Sequence, residues 1–159
     1  MSGLYEALLY LHSYVRWWVV GAALASLGYT LWAGATRRPW SRLDERLARA
    51  LVTGVDLQAL LGLALYLGVS PLARFARAIW SARGLGTLWA SELRFFGLLH
   101  PAAMLLAATV VHVAWVAARR GPLERRRRRF GAGVALSLGL FLLSVPWPLL
   151  GHDRPWFRF

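Results

Sequence analysis

The chain has 159 residues, of which 58% are hydrophobic, and it contains no cysteine. The lack of cysteine excludes disulfide bonds, cysteine-ligated iron–sulfur clusters and the thioether attachment of a c-type haem. The chain has 19 basic residues, all of them arginine, and 7 acidic residues, so its formal charge is +12. In a soluble domain this balance would indicate nucleic-acid binding. Here the arginines mostly fall between long apolar segments, so we predict no nucleic-acid partner.

Four apolar segments approach or exceed the roughly 20 residues that a helix needs to cross about 30 Å of hydrocarbon. They cover approximately residues 8–31, 47–69, 93–118 and 130–150. No segment has the alternating pattern of a strand, and backbone groups in lipid must be satisfied within the segment, which favours helices. The sequence therefore predicts an all-α fold: one integral membrane four-helix bundle, residues 1–159, in the lipid bilayer.

The arginines are divided unequally between the two sides of the predicted bundle. Twelve lie between spans one and two or between spans three and four, and six lie on the other side. Because positively charged short loops stay in the cytoplasm, both chain termini are predicted to lie outside.

The connection after span two has the pattern of a short amphipathic helix. Ser70 is a candidate N-cap and Pro71 a candidate first helical residue, while Gly84 and Gly86 are expected to end the helix. Apolar residues recur at helical spacing at Leu72, Phe75, Ala76, Ile79 and Trp80. We predict that this helix lies on the outer membrane surface as an anchor. The alternative is a basic platform that covers a cofactor or docks an acidic partner.

The C-terminal segment is rich in aromatic residues. An aromatic belt at the outer membrane interface is therefore expected there. Its members are Trp147, Trp156, Phe157 and Phe159.

His12 and His100 are the main candidate functional residues. Counted from the outer ends of spans one and three, they lie about 7 Å and about 11 Å deep. An ionisable residue inside a membrane indicates a functional site, and two imidazoles at similar depth can bind one iron from opposite sides. We predict that both are axial ligands of one non-covalent haem b near the outer face. The alternative is that each histidine only hydrogen-bonds a neighbouring helix.

Residues near His100 are predicted to complete this site. Pro101 removes a backbone donor to Gly97, so a kink is expected, and Gly97 offers a small surface for a flat cofactor. Met104 follows His100 by one helical turn and is expected to pack beside the cofactor rather than bind the metal. Arg94, near the outer boundary, is the candidate partner of a haem propionate, with Arg74 and Arg77 behind it.

Three further polar residues lie within the spans. Arg16 and Asp56 are each about 14 Å from a span end, near the midplane, so we predict that they form an ion pair. Arg16 could instead contact a propionate or orient His12. His112 lies about 18 Å beyond His100 along the helix and cannot share its metal. A polar contact within the bundle is expected for His112, and a quinone contact or a proton relay stays open.

Several short strings of the sequence resemble a bacterial family of small four-span membrane proteins labelled cytochrome b-like. The resemblance covers nearly the whole chain. It is carried by residues 12–18 (HSYVRWW), 56–58 (DLQ), 62–66 (GLALY), His100, Pro101, Met104 and residues 146–148 (PWP). It implies haem b, electron transport and a multi-pass location in the bacterial inner membrane. The four-histidine pattern of two-haem cytochromes is missing, which argues against electron transfer across the membrane through two haems.

The expected function is single-electron transfer to or from a quinone, a soluble cytochrome or a larger complex. We expect an electron carrier rather than a stand-alone enzyme, because no nucleophile triad or phosphate-binding glycine loop occurs. Assembly into a larger complex or a homo-oligomer stays open. So do two other functions: a cofactor-free accessory subunit of a respiratory or photosynthetic complex, and a small transporter or channel that uses Arg16, Asp56 and His112.

Overall fold

The computed structural model describes residues 2–91 and 93–147, and in these ranges it is helical without any strand. The predicted all-α fold class is therefore confirmed. The described residues form five α-helices and two π-helical segments: α1 Ser2–Ala35, α2 Arg42–Leu63, the first π segment Ala64–Val69, α3 Pro71–Ala90, the second π segment Phe95–Leu99, α4 His100–Arg120 and α5 Leu123–Ser144.

In the described part of the chain, three stretches are long and apolar enough to cross a membrane, namely Gly3–Ala35, Arg42–Val69 and Phe95–Arg120. They match the first three predicted spans, although helix α1 begins six residues earlier than expected, since polar Ser2 and Glu6 do not interrupt it. Helix α5 covers residues 130–144 of the fourth predicted span: it starts at Leu123, two residues before the arginine run, and ends at Ser144. Residues 148–150 of that span lie outside the described residues.

The four long helices form a ring in which α1 packs on α2 and α5, and α4 packs on α5 and α2. The α4–α5 pair is the most extensive contact and the α2–α4 seam the least. Buried side chains from all four helices form the core, including Val19, Leu51, Val111 and Val134.

The two arginine-rich connections meet at one end of the bundle, the arginine end. Arg127 of α5 forms a buried ion pair with Asp44 of α2, at 2.9 Å between Nη2 and Oδ2. The same guanidinium donates to the carbonyls of Arg38 and Pro39 at 2.5 and 3.0 Å. Asp44 also belongs to the cap of α2, because its carboxylate accepts from the backbone N–H of Ser41 at 2.7 Å. One acidic side chain thus joins both connections.

Helix α3 begins as predicted. The Ser70 hydroxyl accepts from the Ala73 N–H at 3.3 Å, and Pro71 occupies the first turn. The first helical piece of α3 ends at Gly84 as predicted, because Gly84 has the non-helical φ of 81°, and an unpredicted second helical piece continues to Ala90. Phe75, expected on the apolar side, is 66% exposed. The smaller Ala73 and Ala76 of α3 are buried instead, and the Cβ of Ala76 lies against Gly97.

The predicted aromatic belt is only partly described. The Trp147 indole packs on Trp17, with 6.1 Å between ring centroids, and its Nε1 donates to the Leu142 carbonyl at 2.7 Å. Trp147 therefore contacts the bundle rather than extending away from it. Trp156, Phe157 and Phe159 lie outside the described residues.

Candidate functional site

A cavity of about 410 Å³ lies at the end of the bundle opposite the arginine end. We call this the histidine end. Such a volume falls in the range of small-molecule and cofactor pockets. The lining is mostly apolar and includes both π segments. The polar side chains in the lining are Tyr5, His12, Ser13, Arg16, Gln58, Tyr66, Ser70, His100 and Ser137.

His12 of α1 and His100 of α4 come together in this cavity. Their ring centroids are 6.4 Å apart, and the ring planes are inclined by 74°. Metal–imidazole bonds are about 2 Å long, so two imidazoles on opposite sides of one metal have centroids about 6 Å apart. The observed separation is close to that of a metal-bridged pair.

The His100 ring is held by the end of α5. Its Nδ1 lies 2.7 Å from the backbone carbonyl oxygen of Ser144. A carbonyl can only accept, so Nδ1 carries the proton and the lone pair belongs to Nε2. Phe95 and Phe96 flank the imidazole, with ring centroids 5.9 and 6.2 Å away. A ring nitrogen bound to a backbone carbonyl is the arrangement that orients histidine ligands in metal sites.

The His12 ring is held by α2. Its Nε2 lies 3.1 Å from Nε2 of Gln58. Nδ1 of His12 and Oε1 of Gln58 are buried and have no hydrogen-bond partner. Rotating the Gln58 amide by half a turn would let Nε2–H of His12 donate to Oε1, which places the imidazole lone pair on Nδ1. Gly62 makes room for the ring, since an added Cβ would lie 3.2 Å from Cε1.

The two π segments border the cavity and are linked by one hydrogen bond. The Tyr66 hydroxyl of the first donates to the Gly97 carbonyl of the second at 2.9 Å. Pro101 has no N–H for this carbonyl, and Tyr66 supplies the missing donor. The irregularity expected beside Pro101 therefore occurs as a π segment, a feature common at functional sites. Arg77 of α3 donates to the carbonyls of Tyr66 and Leu67 and fixes the same region.

Arg16, Gly97 and Met104 line the same cavity as the two histidines. Arg16 is only 9% exposed, and its guanidinium lies 5.4 Å from the Trp17 ring centroid. Gly97 offers less space to a ligand than expected, because an added Cβ would lie 2.5 Å from the Cβ of Ala76 in α3. The close approach of α3 occupies that surface.

Arg94 does not line the cavity. It is exposed and immediately precedes the second π segment. Arg74 is also exposed, and Arg77 is engaged with backbone carbonyls. The propionate role of Arg94 stays a prediction, and among the described residues Arg16 is the cation that lines the cavity.

The predicted ion pair between Arg16 and Asp56 is wrong. Asp56 Oδ1 lies 2.9 Å from Nε2 of His112, and Nδ1 of His112 lies 2.8 Å from the Ala108 carbonyl. The Asp56 and His112 side chains are 55% and 40% exposed, outside the cavity. Asp56 and Gln58 lie on opposite faces of α2, so that Asp56 contacts His112 while Gln58 contacts His12. The polar contact expected for His112 is confirmed.

Gln58, Tyr66 and Ser144 are site residues that sequence reasoning did not assign. Gln58 carried a usable signal, because a polar amide within an apolar span needs a partner. The sequence signal for Tyr66 was weaker: its hydroxyl can donate to the Gly97 carbonyl, which lacks a backbone donor because of Pro101. Ser144 contributes its backbone carbonyl, and no side-chain pattern can indicate that.

Among the residues that the structure describes, no group of three or more histidine or acidic side chains could hold a metal ion. A bis-histidine site needs only two protein ligands. Comparisons with protein-family models, curated proteins and solved structures gave no match to the chain. The function is therefore inferred from the geometry of this cavity.

Proposed function

We propose that the chain is a membrane b-type cytochrome that holds one non-covalent haem between His12 and His100. The observation that carries the proposal is the 6.4 Å separation of the two ring centroids within a largely apolar cavity. A bound haem supplies one-electron exchange between ferrous and ferric iron. The exchange partner would be a quinone, a soluble cytochrome or a larger complex.

The surrounding residues have distinct tasks in this proposal. The Ser144 carbonyl and, after the amide rotation described above, Oε1 of Gln58 accept a hydrogen bond from each imidazole, which orients the rings and raises their basicity and so favours ferric iron. Arg16 places a buried positive charge at the cavity, where it can pair with a propionate and favour ferrous iron. The apolar lining keeps water from the metal and so influences the reduction potential.

The proposed placement is a four-span bundle in a bacterial inner membrane, with both termini outside and α3 on the outer surface. Three apolar helices of sufficient length support it. The Arg127–Asp44 pair, which joins the arginine-rich connections at one end, supports the sidedness. On this placement the haem lies near the outer face.

A cofactor-free accessory subunit is the second candidate. It is favoured by one observation, namely that each histidine already has a contact with a neighbouring helix. On this view the two rings only stabilise the bundle.

An absorption spectrum separates the two candidates. The protein is purified from cells supplied with haem, and spectra are recorded oxidised and after reduction with dithionite. We expect a low-spin b-type spectrum that becomes high-spin or disappears in His12→Ala and in His100→Ala. The control His112→Ala, outside the cavity, should keep it. A colourless wild-type protein, or loss of the spectrum in the control alone, would contradict the proposal.

A redox titration tests the role of Arg16. Arg16→Gln should keep the low-spin spectrum but lower the reduction potential, because removing a nearby positive charge favours ferric iron. A potential equal to that of the wild type would exclude an electrostatic role for Arg16.

A further inference from the structure

A second cavity, a groove of about 890 Å³, runs between α1 and α5 at the arginine end. Leu27, Leu31, Ala132 and Ala135 form its apolar part. Four arginines line the opposite, charged end of the groove: Arg37, Arg38, Arg127 and Arg128. Leu27 and Arg37 are ten residues apart, so the groove extends about 15 Å from charged to apolar surroundings.

Two of the four arginines are already engaged. Arg127 pairs with Asp44, and the Arg38 guanidinium lies 4.4 Å from the Trp32 ring centroid. Arg37 and Arg128 also line the groove, and both are exposed. Two exposed guanidinium groups at the charged end of an apolar groove are complementary to an anion that carries an apolar chain.

The backbone of Arg37 adds an independent observation. Arg37 has φ 52°, in the left-handed region that glycine prefers. Two bonds close the end of α1 around it: Arg38 N–H to the Ala33 carbonyl at 2.9 Å, and Arg37 N–H to the Gly34 carbonyl at 3.1 Å. This is a Schellman cap, whose left-handed residue is usually glycine. A non-glycine residue kept at this position motivates the hypothesis that its side chain has a function.

We propose that this groove binds one anionic phospholipid, with the phosphate at Arg37 and Arg128 and an acyl chain along Leu31 and Ala135. Arginine binds phosphate oxygens through several N–H donors, and the apolar part lies at acyl-chain depth in a four-span bundle. The anionic leaflet of a membrane faces the cytoplasm, where the arginine end is proposed to lie. The inference rests on the proposed membrane placement but not on the haem.

Native mass spectrometry of the full-length protein in detergent tests this inference. Phosphatidylglycerol and phosphatidylcholine with identical acyl chains are the probes, and we expect preferential retention of phosphatidylglycerol. Arg37→Gln with Arg128→Gln should weaken that preference by about fivefold per arginine. Arg42→Gln with Arg46→Gln is the matched control, because both are exposed arginines of α2 outside the groove.

Two single variants separate binding from folding. Arg37→Gly should keep or raise the thermal midpoint, since it relieves the left-handed backbone, and should still lower phosphatidylglycerol retention. Ala135→Trp should fill the groove and lower retention without any change of charge. Equal retention of both lipids, an equal loss in the control, or displacement by inorganic phosphate as effective as by lipid would overturn the proposal.

The membrane placement is checked separately. Wild-type protein that carbonate washing releases from membranes would overturn both the placement and the lipid site. Failure of lipid binding alone would leave membrane insertion and the haem spectrum unchanged.

Discussion

The two ends of the bundle use polar residues in opposite ways. At the arginine end, Asp44 and Arg127 satisfy each other and fix two connections around a core in which Ala48 and Ala118 are fully buried. At the histidine end, two helices lose regular geometry around a cavity, and polar atoms of His12 and Gln58 are buried without partners. The first arrangement stabilises a fold, and the second is suited to a ligand that completes the hydrogen bonding or coordination.

The largest effect is expected at the arginine end. Arg127→Ala leaves the Asp44 carboxylate buried without its cation and should lower the free energy of unfolding by about 3–5 kcal/mol. Thermal or denaturant unfolding in detergent measures this. The neighbouring Arg128→Ala, at an exposed position, should change it by less than about 1 kcal/mol. Equal effects of the two variants would remove the contrast between the ends.

A steric test addresses the histidine end. Gly97→Ala places a Cβ against Ala76 and should cost about 1–3 kcal/mol as α3 moves away. Gly68→Ala lies in the other π segment with nothing within 4 Å, so it should be nearly neutral. If both variants lower the free energy of unfolding equally, α3 does not pack closely on Gly97.

The link between the π segments can be tested by a double-mutant cycle. Tyr66→Phe leaves the Gly97 carbonyl without its donor and should cost about 1–2 kcal/mol. Pro101→Ala restores a backbone N–H that can reach the same carbonyl, so the cost of Tyr66→Phe should shrink in that background. Purely additive effects would show that Tyr66 does not replace the missing proline donor.

The smallest effect on stability is expected for the exposed pair Asp56 and His112, which lies on the side of the bundle outside the cavity. A cycle of Asp56→Asn and His112→Gln should give a coupling of about 0.5–1 kcal/mol, because both side chains are roughly half exposed. Arg16→Gln combined with Asp56→Asn should be additive, since these residues are not an ion pair. Coupling in the second cycle and not in the first would restore the pairing predicted from sequence.

The sequence alone determined positions along the helix axes. Apolar length predicted four spans, and three of them match helices that are long and apolar enough to cross a membrane. The Ser70–Pro71 start of α3 was readable from its cap, and Pro101 indicated the irregularity before α4. Helical rise also gave the common depth of His12 and His100, because depth depends only on residue number and a fixed 1.5 Å step.

Only the tertiary structure decided how each helix is rotated and what fills the space between helices. Asp56 contacts His112 instead of Arg16, Gln58 contacts His12, and the surface beside Gly97 is taken by Ala76 of α3. Rotation about a helix axis results from many small packing contacts with neighbours that are distant in sequence, and no local pattern records their sum. For the same reason the Ser144 carbonyl, a backbone group at the end of another helix, became a partner of His100 only in the folded chain.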